Sequence, residues 1–85
     1  MTTSFAATVN ATEYPPHLKH KVIFETFDGL KAGEAMLLVN DHDPMPLHYQ
    51  FELERPGIYE WEYIEKGPEW FRIRIGRIDG SSANA

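Results

Sequence analysis

Phe5, Ala7, Val9 and Ala11 alternate with Ala6, Thr8, Asn10 and Thr12, the two-residue period of a strand with one face buried. Pro15 and Pro16 end that pattern. From about Pro16 to Leu30 the apolar residues Leu18, Val22, Ile23, Phe27 and Leu30 fall at helical spacing. The two prolines fit only because they stand at the helix start, where a backbone N–H has no intrahelical partner. Gly33, in the stretch KAGE, can take the left-handed conformation and is the expected stop of this helix. The run AMLLV (35–39) is apolar without alternation, which predicts a central strand buried on both sides or nearly so. Residues 44 to about 55 then predict a second helix, with Leu47 and Phe51 four apart and Pro56-Gly57 closing it.

The stretch IYEWEYIEKGPEWFRIRI (58–75) predicts a hairpin. Tyr59, Trp61 and Tyr63 alternate with Glu60 and Glu62, and Phe71, Ile73 and Ile75 alternate with Arg72 and Arg74. A turn centred near Gly67 sets Trp61 opposite Ile73 and Tyr63 opposite Phe71 on one face. It sets Glu62 opposite Arg72 and Glu60 opposite Arg74 on the other. Both faces are chemically matched in this register. The same register places Ile64 opposite Trp70 on the polar face, an apolar pair with no helix to cover it.

The element order is therefore β-α-β-α-β-β, an α+β chain in which two helices cover one face of a four-stranded mixed sheet, a two-layer α/β sandwich. Residues 5–78 are expected to form a single domain, with 1–4 and 79–85 as disordered tails rich in small and polar residues. A right-handed crossover through the first helix makes the first two strands parallel if they are neighbours. The loops that follow them, Thr12–His17 and Asn40–Asp43, then open at one edge of the sheet, beside both helix starts.

Composition narrows the chemistry. The chain has no cysteine, which removes disulfides, zinc–thiolate sites and any thiol or persulfide nucleophile. That usage fits a reducing compartment, and a cytoplasmic location is the expectation. A net charge of −5 argues against nucleic acid or anionic lipid as a partner. The stretch MTTSFAATVNATEY lacks the basic and apolar regions of a signal peptide, and no apolar run approaches a membrane span.

The candidate chemistry lies in NDHDPMPLHYQ (40–50). Asp43 is the expected N-cap of the second helix, with Pro44 at its first position and Pro46 still inside its first turn. Asn40 and Asp41 are ordinary turn residues. His42 is not explained by capping. His17 and His20 lie three apart on the first turn of the first helix, and His48 one turn into the second. These histidines and Asp41 are the candidate ligands of a divalent metal, zinc or iron, or the lining of an anion or small-ligand site at the paired helix starts. No recognised metal-binding spacing accompanies them. Serines occur only at 4, 81 and 82, in the expected tails, so no placed nucleophile accompanies the His-Asp pair.

The stretches HLKHKVIFETFDGLKAGE, LVNDHDPMPLHYQFE and YEWEYIEKGPEWFRIRI together resemble the family catalogued as domain of unknown function 2249, over about residues 9 to 77. That family is similar in turn to the TusA/SirA sulfur-carrier proteins, so the resemblance implies a TusA-like sandwich. In the carriers a Cys-Pro-x-Pro opens the first helix and a Pro-Gly-Glu turn precedes the second strand. Here Ala32-Gly33-Glu34 matches the turn and Pro15-Pro16 falls near the cysteine's place, but the cysteine is missing. The fold carries over from that resemblance; persulfide transfer does not.

Three readings follow. The first is a non-enzymatic accessory module, a monomer or weak dimer, that holds a metal ion, cofactor, small ligand or partner protein at the edge formed by residues 15–20 and 40–48. The second is a metal-dependent enzyme with His20, His42 and His48 as ligands and Asp41 as base. The third is a protein-interaction domain acting through Ile64 and Trp70.

Overall fold

Strand β1 (Ala7–Asn10) lies parallel to β2 (Ala35–Asn40), with Ala7 beside Met36 and Val9 beside Leu38. The computed structural model describes residues 5–78; the segments expected as tails, 1–4 and 79–85, lie outside them. Helix α1 (Pro16–Asp28) makes the crossover between these strands, and α2 (Met45–Glu54) leads to the hairpin β3 (Tyr59–Lys66) and β4 (Phe71–Arg77). Four strands in the order β1-β2-β4-β3 form one mixed sheet, antiparallel everywhere except at β1–β2. A single turn of 3₁₀ helix (Ala11–Glu13) follows β1 where the sequence pattern continues the strand. Asn10 ends the strand there by accepting from the Thr12 N–H at 3.0 Å.

One face of the sheet carries the core. Val9, Met36, Leu38, Ile73 and Ile75 pack against Ile23, Phe24 and Phe27 of α1 and Leu47 and Phe51 of α2. Phe24 stacks on Phe51 with ring centroids 4.4 Å apart, and Phe27 meets the same ring edge-on at 5.2 Å. Phe24, absent from the helical spacing read from the sequence, joins the core, whereas Leu18, included in it, is exposed. On β2 the burial is one-sided: Met36 and Leu38 are fully buried, whereas Leu37 and Val39 on the other face are half-buried.

The turn chemistry differs from expectation at two places. Helix α1 ends at Asp28, with Gly29 in helical conformation donating to the Glu25 and Thr26 carbonyls. Gly33 does take a positive φ of 88°, but in the next turn: the Glu34 N–H donates to the Lys31 carbonyl, and Gly33 is the third residue of that four. This position demands the left-handed region and so favours glycine. The Gly33 N–H then donates to the Arg77 carbonyl at 2.7 Å, fastening the turn to the end of β4.

The hairpin loop is longer than a turn centred on Gly67. It runs from Gly67 to Trp70, closed by the Gly67 N–H donating to the Trp70 carbonyl at 2.8 Å, and the last pair is Lys66 with Phe71. The expected register pairs Lys66 with Pro68, so the strand end is displaced by three residues. An odd displacement would swap the two faces. A bulge at Ile64, between Tyr63 and Glu65, absorbs one residue, so that Tyr63 pairs with Ile73, Trp61 with Ile75 and Glu62 with Arg74. The faces are therefore as expected and the partners are shifted by two. Ile64 and Trp70 are not a cross-strand pair, since Ile64 stands at the bulge and Trp70 in the loop. Arg72 pairs with Glu65, and Arg74 reaches Glu60 at 3.1 Å and Glu62 at 3.8 Å, across the uncovered face.

Candidate functional site

β1 and β2 are parallel neighbours, so both release the chain at one edge, where α1 and α2 begin. Four prolines crowd that edge, at 15, 16, 44 and 46, and each deletes a backbone N–H from a helix start. The helix ends therefore present few amide donors there, and polar recognition falls to side chains.

Between them lies a cleft of about 70 Å³. Its apolar lining is Ala11, Ile23, Leu38 and Leu47, all buried. Its other lining residues are Lys19 and His20 of α1, Asn40 at the end of β2, His42 and Pro44 of the β2–α2 connection, and Pro46 in the first turn of α2. Asn40 belongs to the core face of β2, in line with Met36 and Leu38, and is only 4% exposed. Its Oδ1 is buried and accepts no hydrogen bond. A carbonyl oxygen left unpaired in a protein interior costs about 1–3 kcal/mol, so this placement needs a reason that packing does not supply.

His42 projects from the exposed connection, its Nδ1 donating to Asp41 Oδ1 at 2.8 Å. An ionised carboxylate only accepts, so this bond fixes the proton on Nδ1 and leaves Nε2 as the ring's remaining polar atom. The His42 imidazole holds the Asp41 carboxyl below the usual carboxylate range. Asp41 touches the cleft only through His42, as it is not itself part of the lining.

The structure divides the candidate residues. His20 and His42 face the same cleft; His17 is exposed on the first turn of α1 and does not line it. His48 points the other way. Its ring lies parallel to Trp61 at 4.3 Å between centroids and meets Tyr59 edge-on at 5.9 Å. The convergence of three or four imidazoles expected from the spacing is thus reduced to two, because α2 presents His48 to β3. Among the described residues no group of three histidine, aspartate or glutamate side chains stands where it could hold a metal ion.

Asp43 is corrected as well. Pro44 occupies the N-cap position, α2 begins at Met45, and no side chain caps it. The Asp43 carboxylate instead accepts from the Tyr63 hydroxyl at 2.5 Å, tying the connection to β3. Burial, with the Asp43 carboxylate behind it, pushes the Tyr63 phenol above the usual tyrosine range, the Trp61 indole opposing. The threonine hydroxyls near the helices are engaged too: Thr12 donates to Asn10 Oδ1 and Thr26 to the Val22 carbonyl.

Two residues of the cleft escape the sequence pattern, Lys19 and Asn40. Asn40 had a signal: extending the Met36–Leu38 alternation by two residues puts it in the core, where a polar side chain stands out.

A second groove, about 340 Å³, runs between the helices. Its lining carries both signs of charge, Lys21 and Arg55 beside Glu25, Asp28 and Glu54. Arg55 grips Asp28 there through two bonds of 2.9 and 2.7 Å. Among the described residues no helix is long and apolar enough to cross a membrane. The family model described as "Uncharacterized conserved protein (DUF2249)" matches residues 8–77. No curated protein and no solved structure matches the chain.

Proposed function

The chain belongs to this family of uncharacterised conserved proteins, which passes on no activity, and from the geometry of its own cleft we propose a non-enzymatic binding module that holds a small ligand between the start of α1 and the β2–α2 connection. The observation that carries this reading is Asn40, a core residue that lines the cleft and whose buried Oδ1 has no hydrogen-bond partner. A bound molecule that donates to it recovers the lost hydrogen bond, and polar groups set at fixed points of a mostly apolar pocket are how small-molecule sites orient what they hold. The cationic side chain of Lys19 and the imidazoles of His20 and His42 complete the polar lining. A metal ion is a poorer occupant, since two imidazoles and a carboxamide oxygen make a thin ligand set for zinc or iron.

The test is an amide and side-chain NMR titration of chelator-stripped protein, first with a mixture of short carboxylates, alcohols and amides and then with zinc. A small-ligand site moves the signals of Lys19, His20, Asn40, His42 and Leu47 together with one of the organic probes. If zinc alone moves them, at micromolar concentration, the occupant is a metal and the reading is wrong.

One observation favours a second reading, contact with a partner chain through the hairpin end. Ile64 is 51% exposed and Trp70 37% exposed, at the bulge and the loop of one hairpin. Under that reading Trp70→Ala weakens self-association or partner binding and leaves the cleft titration unchanged.

A further inference from the structure

The occupant of the cleft can be narrowed by its chemistry. A volume of about 70 Å³ is well below the roughly 300–1,000 Å³ of pockets that take drug-sized ligands, so nucleotides and extended cofactors are excluded as fully enclosed guests. The buried walls, Ala11, Leu38 and Leu47 among them, take a short apolar body. Asn40 lines the cleft with its Oδ1 unpartnered, and the final torsion of an asparagine amide is soft enough to turn that oxygen toward a hydrogen-bond donor on the guest. Lys19 is the one formal charge in the lining, so the guest's polar end is an anion. Phosphate is the usual anion at helix starts, but it is held there by several backbone N–H groups, and the four prolines leave few of them. A carboxylate asks for fewer donors.

We propose that the cleft selects a short hydroxycarboxylate, its carboxylate held by Lys19 with His20 and His42 beside it, its hydroxyl donating to Asn40 Oδ1, and its carbon body against the buried walls. This rests on the cleft being a ligand site at all, and the experiment separates the two claims.

The probes are lactate, propionate, 1,2-propanediol and inorganic phosphate, each titrated into the full chain and followed by the Asn40 side-chain amide and the backbone signals of Lys19, His20 and His42. Lactate is expected to bind about tenfold more tightly than propionate, which lacks the donor, and than the diol, which lacks the charge. Asn40→Ala is expected to bring lactate down to the level of propionate. Lys19→Met is expected to weaken both acids while keeping their ratio, which guards against a fold defect in the Asn40 variant. If propionate or phosphate binds as well as lactate, or Asn40→Ala keeps the preference, the hydroxycarboxylate is wrong and the cleft remains a ligand site. If no probe shifts these signals at millimolar concentration, both claims fall.

Discussion

The His48 imidazole lies flat on the Trp61 indole, centroids 4.3 Å apart and planes within 4° of parallel. This contact decides the role of a histidine that the sequence offers as a metal ligand. A stacked pair of this kind contributes about 0.5–1.5 kcal/mol beyond the area it buries. His48→Ala is therefore expected to lower the unfolding free energy by about 1 kcal/mol, measured by urea denaturation, and to leave ligand titration of the cleft unchanged. Loss of binding without loss of stability would return His48 to the site.

The alternation that marked the hairpin was legible because period-two patterns survive any even change of register. What it could not carry was the loop length. A Gly-Pro turn closes over different numbers of residues, and the bulge at Ile64 that restores the faces leaves no trace in the pattern. The second helix was legible as an element but not in its rotation. Tyr49 and Leu53, on its outer surface, are 62% and 78% exposed, so apolar residues stand on both sides and nothing local says which way His48 turns. Asp43 and Tyr63 meet across twenty residues of chain, a tertiary contact that displaces the local capping preference. Asn40 was hidden by its type, since asparagine before a helix reads as a turn.

The Asp43–Tyr63 bond gives a double-mutant cycle. If Asp43 served mainly as a helix cap, Asp43→Ala and Tyr63→Phe would add independently. With the hydroxyl donating to the carboxylate, the second substitution is expected to cost little once the first is made. The coupling is expected at about 1.5–3 kcal/mol, as for hydrogen bonds to charged groups. Chemical denaturation of the two single variants and the double variant measures it; additive losses would show that the bond does not form.

The ion pair of Asp28 with Arg55 joins the end of α1 to the end of α2 and predicts an acid-side dependence of stability. The Arg55 guanidinium, through its hydrogen bonds first, holds the Asp28 carboxyl below the usual range. A carboxylate with a lowered folded pKa contributes stability that is present above its unfolded value of about 4 and is lost as the pH falls through the lower folded one. Both side chains are partly exposed, Arg55 at 26% and Asp28 at 46%, so the contribution stays under about 1 kcal/mol. Arg55→Gln is expected to destabilise at neutral pH and to flatten the stability profile between about pH 5 and pH 2. An unchanged profile would mean that solvent screens the pair completely.

Burial and the Glu52 carboxylate push the Tyr59 phenol far above the usual tyrosine range, and Tyr63 is raised too. A raised folded pKa means that the stability is complete below about pH 10 and is lost as the pH rises through the folded values. Absorbance at alkaline pH is expected to show late-ionising phenols that coincide with unfolding, a component reduced in Tyr59→Phe. Ionisation of Tyr59 at the ordinary tyrosine value, with the fold intact, would contradict the bond to Glu52.

The central claim is that Asn40 stands in the core for the sake of a ligand rather than for the fold. Asn40→Leu replaces the unpaired carboxamide with an apolar side chain of similar size, and its thermal unfolding, with and without lactate, tests the claim most directly. Removing a buried unsatisfied group is expected to stabilise by about 1–3 kcal/mol, with a rise in Tm of about 4–8 °C per kcal/mol for a domain of this size, and the variant is expected to gain less from lactate than the parent does. A variant that melts lower than the parent and responds to lactate as strongly as the parent would show that Asn40 serves the fold and that the cleft recognises its guest without it.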